Sequence, residues 1–203
     1  MKNSKKLLLA FVATLAIASC SRDEDPVAPP NPVNEEELIT TVMLVLTPIN
    51  GGNIVTLKYK DLDGDGPGQP DITPSAVFAQ NKTYNGEIFV LNESVTPVKN
   101  ISNEILAEAA DHQFFYQTLG TLPMFTYTPI AVAPDNYDTN GRPLGFRTVF
   151  TTTTAVPQGA NATMKITLKH QGDKTKPNVA NNDLSNATGA TDFEVTFSGL
   201  TVQ

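Results

Sequence analysis

The chain carries a single cysteine, Cys20, so no intrachain disulfide can form and burial alone must hold the fold. Histidine is nearly as scarce, with His112 and His170 the only two. No HExxH pair, nucleophile elbow, Walker-type loop or GxGxxG turn occurs, so the common zincin, hydrolase and nucleotide-binding chemistries have no motif to rest on. Long apolar runs are missing too. The run at residues 7–17, broken only by Thr14, is far short of the roughly 20 residues a bilayer span needs. Basic residues number 14 against 21 acidic ones. An acidic surface repels phosphate backbones, which argues against nucleic acid as a partner and favours cations or basic partners.

What the chain does have begins at its start. Lys2, Lys5 and Lys6 precede the apolar run, and Ile17-Ala18-Ser19-Cys20 closes it. A basic stretch, a short apolar stretch and small residues before a cut site define a secretory signal peptide, here residues 1–19. The small pair before Cys20 resembles the lipobox of bacterial lipoproteins, in which the signal is cut before the cysteine and that cysteine is acylated. Lipidation of Cys20, and membrane attachment through that lipid, is therefore the expectation. The plainer reading is an ordinary signal with a chance cysteine. Loss of residues 1–19 removes three lysines and no acidic residue, so the net charge moves from −7 to −10.

The cluster Ser21-Arg22-Asp23-Glu24-Asp25 follows directly. It resembles the export signal that sends lipoproteins of the Bacteroidota to the outer face of the outer membrane, and otherwise reads as a solvated charge run. The cell surface is the expected location, ahead of the periplasmic face. Residues 26–34 hold four prolines in nine positions and form a semi-rigid spacer, so residues 20–34 read as a tether.

Residues 35–203 are long enough for one domain with a real core. Residues 38–46 form a continuous apolar and β-branched run, the pattern of a strand buried on both faces. Val55, Leu57 and Tyr59 alternate with polar neighbours, as do Met164, Ile166 and Leu168, and Phe193, Val195 and Phe197. Further strand candidates cover residues 87–91, 114–116 and 146–154, with turns at Asn50-Gly51-Gly52 and Asn140-Gly141. One short helix is expected near 103–111, with Ser102 as its cap. The fold expected is all-β: an antiparallel, Ig-like β-sandwich of seven or eight strands, with a barrel as the alternative.

Two groups could bind metal. Asp61, Asp63 and Asp65 lie at alternate positions among glycines, and Asp71 follows. Carboxylates so spaced can wrap a hard cation, which makes calcium the candidate ligand. The register is not that of an EF-hand, because Ile72 stands where the closing glutamate would be. The alternative is an acidic hairpin loop holding nothing. A second loop, Asp138-Thr139-Asn140-Gly141, reads first as an Asn-Gly turn. The other group is Glu104, Glu108, Asp111 and His112. A continuous helix would bring Glu104, Glu108 and His112 to one face with Asp111 alongside, a candidate zinc or other transition-metal set. A solvated helix face is the competing reading, and His170 reads as a residue at the rim of the core.

The segments NEEELITTVMLVLTP, YKDLDGDGPG, EIFVLNESV, EAADHQFFY, ITLKHQGDK and TDFEVTFSGLTVQ, in this order behind the lipobox, resemble a family of small Bacteroidota lipoproteins of unknown activity. The resemblance covers nearly the whole mature chain. Such proteins are often labelled "type 1 periplasmic binding fold superfamily protein", which implies a two-lobed α/β fold that this length and strand pattern do not match. The resemblance implies an accessory lipoprotein near outer-membrane receptors, tied to nutrient or metal uptake by association. The expected role is thus a non-catalytic binding or accessory module with an outer-membrane receptor or other protein as partner. A metal-handling lipoprotein and a secreted hydrolase are the alternatives.

Overall fold

The computed structural model describes residues 38–63, 68–120, 125–129, 136–152 and 162–203. The chain divides into two units, residues 1–35 and 36–203, and everything described lies in the second. The expected signal peptide, Cys20, the tether and Asp65 fall outside the described residues.

Twelve strands run through the described residues in chain order. They begin with β1 (Thr41–Pro48), β2 (Val55–Lys60), β3 (Asp71–Ile72), β4 (Ala76–Phe78), β5 (Thr83–Asn92) and β6 (Lys99–Asn100). One helix, α1 (Ile101–Ala107), intervenes before β7 (His112–Gly120), β8 (Phe125–Pro129), β9 (Arg147–Thr152), β10 (Ala162–His170), β11 (Ala190–Phe197) and β12 (Leu200–Val202). Eight of these strands have five residues or more, in line with the strand count expected from the alternating segments. The other four are two or three residues long, too short for any alternation to be read.

The larger sheet has the order β3-β2-β1-β5-β9-β8, with β6 pairing the end of β5. A smaller sheet has the order β11-β10-β7. Pairing within both sheets is antiparallel, and β4 and β12 form a separate parallel pair. Among the described residues the outer strands of the larger sheet do not meet, so the architecture is an antiparallel sandwich and not a barrel.

Alternation decides which residues face the core. Val42, Leu44 and Leu46 of β1, Ile88 and Val90 of β5, and Met164, Ile166 and Leu168 of β10 are completely buried and share one cluster. Phe193, Val195 and Phe197 of β11 join the same cluster, as do Phe114 and Tyr116 of β7. Strand β1 departs from expectation on its second face, where Met43 and Val45 are only half-covered. That apolar run is a one-sided strand with apolar residues on its wetter face.

Helix α1 also departs from expectation. It starts two residues earlier and stops four residues sooner than its predicted span. Asn100 is the cap, accepting a hydrogen bond from the Ser102 backbone N–H at 3.1 Å. Ser102 instead turns its hydroxyl inward, accepting from the Val90 N–H at 2.8 Å and donating to the Val90 carbonyl at 3.3 Å. It thereby locks the helix to β5, and Ile101 and Ile105 are buried. Ala109 and Ala110 have strong helix propensity, yet the helix ends at Ala107 because His112 is already committed to strand pairing with β10. Tertiary pairing overrides local preference here.

The β7 edge of the small sheet is not left bare. The Phe114 N–H donates to the Leu144 carbonyl at 2.8 Å. Asn182 brackets Tyr116 as a strand would, its Oδ1 accepting from the Tyr116 N–H and its Nδ2 donating to the Tyr116 carbonyl. Covered edges suppress sheet-to-sheet aggregation.

These placements assign different costs to two adjacent polar residues. Ser102→Ala strips a buried donor and acceptor of their partner and should destabilise the fold by about 1–3 kcal/mol. Asn100→Ala removes only a helix cap and should cost about 1 kcal/mol. Urea denaturation of the two variants measures both. A smaller loss for Ser102→Ala than for Asn100→Ala would contradict the assignment.

Candidate functional site

The antiparallel register of β7 and β10 sets His112 directly opposite His170. The two imidazoles stack with ring centroids 4.4 Å apart and planes 14° from parallel. They are 1% and 6% exposed. Each lies at the end of its strand where the sheet gives way to loops, so the pair sits at the margin of the core, as expected for His170.

The third member comes from β11 and breaks that strand's alternation. Leu168 pairs with Phe193 and Lys169 with Thr191, so the register slips by one and Asp192 is the extra residue. A β-bulge of this kind re-aims a side chain. Asp192, which regular alternation would send to solvent, instead has a side chain only 5% exposed. Its Oδ2 lies 3.5 Å from His112 Nε2 and its Oδ1 lies 3.5 Å from His170 Nδ1. Oδ1 is buried and accepts no hydrogen bond.

Glu108, half-buried at the C-cap of α1, approaches from the turn before β7. Its backbone carbonyl is 3.2 Å from His112 Nδ1. One ligand atom from each of Glu108, His112 and His170 fits within 4.8 Å of the others. Two imidazoles thus lie beside two carboxylates. His112 thus has an acceptor near each ring nitrogen, the Glu108 carbonyl at 3.2 Å from Nδ1 and Asp192 Oδ2 at 3.5 Å from Nε2.

This grouping corrects the set drawn from helical spacing. Because α1 stops at Ala107, no helix face joins Glu104, Glu108 and His112. Glu104 pairs with Lys99 at 2.9 Å. Asp111 is exposed, and its backbone carbonyl accepts from the Gln171 N–H. Glu108 and His112 remain together, Glu104 and Asp111 leave, and His170 and Asp192 enter. The sequence signal for His170 was its scarcity as a residue type. Nothing in the local pattern marked Asp192.

The aspartate loop is held differently. Asp61 is buried, with Oδ1 accepting from the Asp63 N–H at 3.3 Å and Oδ2 from the Tyr59 hydroxyl at 3.2 Å. Asp63 Oδ2 accepts from the Gly68 N–H at 2.9 Å, and that bond holds the Asp63 carboxyl below the usual carboxylate range. Asp71 is exposed on β3 opposite Lys60. Asp61, Asp63 and Asp71 line one open depression with Lys58 and Lys60, and the Lys60 ammonium pairs with Glu93 at 3.0 Å. The carboxylates of Asp61 and Asp63 brace this turn, and Asp65, a member of the expected calcium set, lies outside the described residues. The second loop is a turn as expected: Asp138 Oδ1 accepts from the N–H groups of Asn140 and Arg142, and Gly141 takes φ +73°.

A buried lysine ties the surroundings of the histidine pair together. Lys174 Nζ donates to the Ala109 carbonyl at 2.5 Å and approaches the Pro143 carbonyl at 3.4 Å. Asp138 Oδ2 is 3.8 Å away, with the two side chains 5% and 1% exposed. Three segments are thereby fastened: the turn carrying Glu108, the Asp138 turn, and the loop between β10 and β11. Burial pushes the Lys174 ammonium down to about 8, against the pull of Asp138 and Asp111. Between pH 8 and about 10.5 the unfolded chain then holds more protons at this position than the folded one, so stability rises with pH across that window. The full contribution is on the order of 3 kcal/mol. Relative to Lys174→Met, which does not titrate, the native protein should gain up to about that amount between pH 8 and 10.5 in denaturant unfolding. A constant difference across that range would refute the assignment. Comparison of the chain with protein-family models, with curated proteins and with solved structures finds no match.

Proposed function

We propose that this protein is a lipid-anchored, non-catalytic binding or accessory module of the bacterial outer membrane, displayed at the cell surface. The observation that carries this reading is the position of Cys20. It is the only cysteine in the chain, it follows Ile17-Ala18-Ser19, and it precedes an acidic cluster and a proline-rich spacer. The sandwich unit begins at Glu36.

Features of the sandwich agree with a binding role. The carboxylates of Asp61, Asp63 and Asp138 serve turn geometry and Lys174 fastens loops, so these groups act as braces rather than as reactive groups. The acidic balance of the chain favours a basic protein surface or a cation as the bound species. The resemblance to small Bacteroidota lipoproteins adds an outer-membrane receptor as the expected partner, in nutrient or metal uptake.

The reading is tested by labelling cells with a palmitate analogue while expressing the full chain or its Cys20→Ala variant. The native protein should carry label, fractionate with the outer membrane and be shaved from intact cells by added protease. Cys20→Ala should lose both label and membrane association. Label that persists in the variant, or recovery of the native protein in the inner membrane, would overturn the proposal.

A further inference from the structure

We propose that Glu108, His112 and His170 form a binding site for a divalent transition metal of the zinc class, with Asp192 orienting both imidazoles. The site goes beyond the envelope role and does not depend on the lipid anchor.

The only two histidines of the chain lie on different strands, and the β7–β10 register brings them side by side. Glu108 completes a set whose ligand atoms lie within 4.8 Å of one another. A tetrahedral zinc site with bonds of about 2.0–2.1 Å has ligand-to-ligand edges of about 3.3 Å. The ligand atoms therefore need to close by at most about 1.5 Å to reach that spacing. Glu108, half-buried at a helix end, can swing in, and one imidazole must also turn out of the stack, because the in-plane lone pairs of two rings 14° from parallel do not meet at one ion.

Asp192 supports the same site. Its carboxylate is buried, and its two oxygens face one nitrogen of each ring at 3.5 Å. That is longer than the 2.7–3.2 Å of an ordinary N–H···O hydrogen bond. Oδ1 accepts none, which is costly for a buried carboxylate oxygen. Metal-bound histidines characteristically donate their second ring N–H to a carboxylate, which fixes the tautomer and strengthens the ligand. Asp192, placed by the bulge in β11, stands where that partner is needed for both rings, which leaves His170 Nε2 and His112 Nδ1 as the ligating atoms, the latter exchanging its contact with the Glu108 carbonyl for the ion.

Charge and chemistry point the same way. Glu108 and Asp192 bring two negative charges to two imidazoles, and a divalent cation balances them. A set of two imidazoles and one carboxylate suits zinc, cobalt or nickel, whereas calcium takes six to eight oxygens. The backbone is built for close approach as well. At Gly189, with φ +86°, a Cβ would meet the His170 carbonyl oxygen at 2.1 Å. Glycine is required there for β11 to start beside His170.

The experiment uses the purified full chain, tagless and stripped with a chelator, titrated with zinc in a calorimeter and with cobalt by visible absorption. One equivalent of zinc should bind at micromolar concentration or tighter, and cobalt should give the intense bands of a tetrahedral site. Glu108→Gln and Asp192→Asn should each weaken zinc binding at least tenfold with unchanged circular dichroism, as should His170→Gln. Glu104→Gln and Asp111→Asn should bind as the native chain does. Should His170→Gln fail to fold, the half-exposed Glu108→Gln decides. Absence of binding, or binding unchanged in Glu108→Gln and Asp192→Asn, would overturn the site.

Discussion

Met164, Ile166 and Leu168 lie wholly out of water along β10, and on them rests the placement of both neighbouring strands. Burying each such side chain contributes about 1.5–3 kcal/mol. Strand β10 holds β7 over nine paired positions and β11 over seven. The smaller sheet therefore has no existence without its middle strand, and the larger sheet has no facing layer. The same strand ends in His170, with His112 brought in by β7 and Asp192 by β11. A single packing constraint in the core thus fixes the geometry of the polar group at its margin.

That polar group is held from outside by loops that are themselves anchored through side-chain to backbone hydrogen bonds. Asn182 covers the backbone of Tyr116, Gln113 Nε2 donates to the Val179 carbonyl, and Asn136 brackets the backbone of Arg147. In a fold without disulfides, such amide clamps take over part of the task of fastening long connections. Lys174 belongs to the same class of fastener but carries a charge into the interior. Its burial opposes protonation, while the carbonyls of Ala109 and Pro143 and the carboxylate of Asp138 keep it there.

The fold was legible where period-two alternation met a one-sided burial requirement. Strand β10, and β11 from Phe193 onward, follow their sequence pattern closely, because apolar residues alternate there with more exposed polar ones and only Thr167 is buried out of turn. Legibility failed where a distant partner decided the outcome. The alanines after Ala107 favour a helix, yet the pairing of His112 with His170 ends it. Glu108 and His112 could be singled out from their spacing, but His170 joins them only through strand register. Asp192 was hidden by its own pattern, since the alternation that correctly turned Phe193 and Val195 inward also implied that Asp192 points out. A bulge leaves no composition signal in so short a strand.

The parallel pair of β4 and β12 bears on the order in which the molecule can assemble. Thr201 donates to the Ala76 carbonyl across 125 positions of sequence, and Gln203 exchanges backbone hydrogen bonds with Phe78 and Gln80. Phe78, Leu200 and Val202 are all completely buried. Contacts that close so long a loop form slowly, because the chain must surrender its freedom before they reward it. Until residues 200–202 are available, Phe78 lacks the strand it pairs with and keeps only local ring partners such as Tyr84. Closure of the β4–β12 pair is therefore a late step in the assembly of this sandwich.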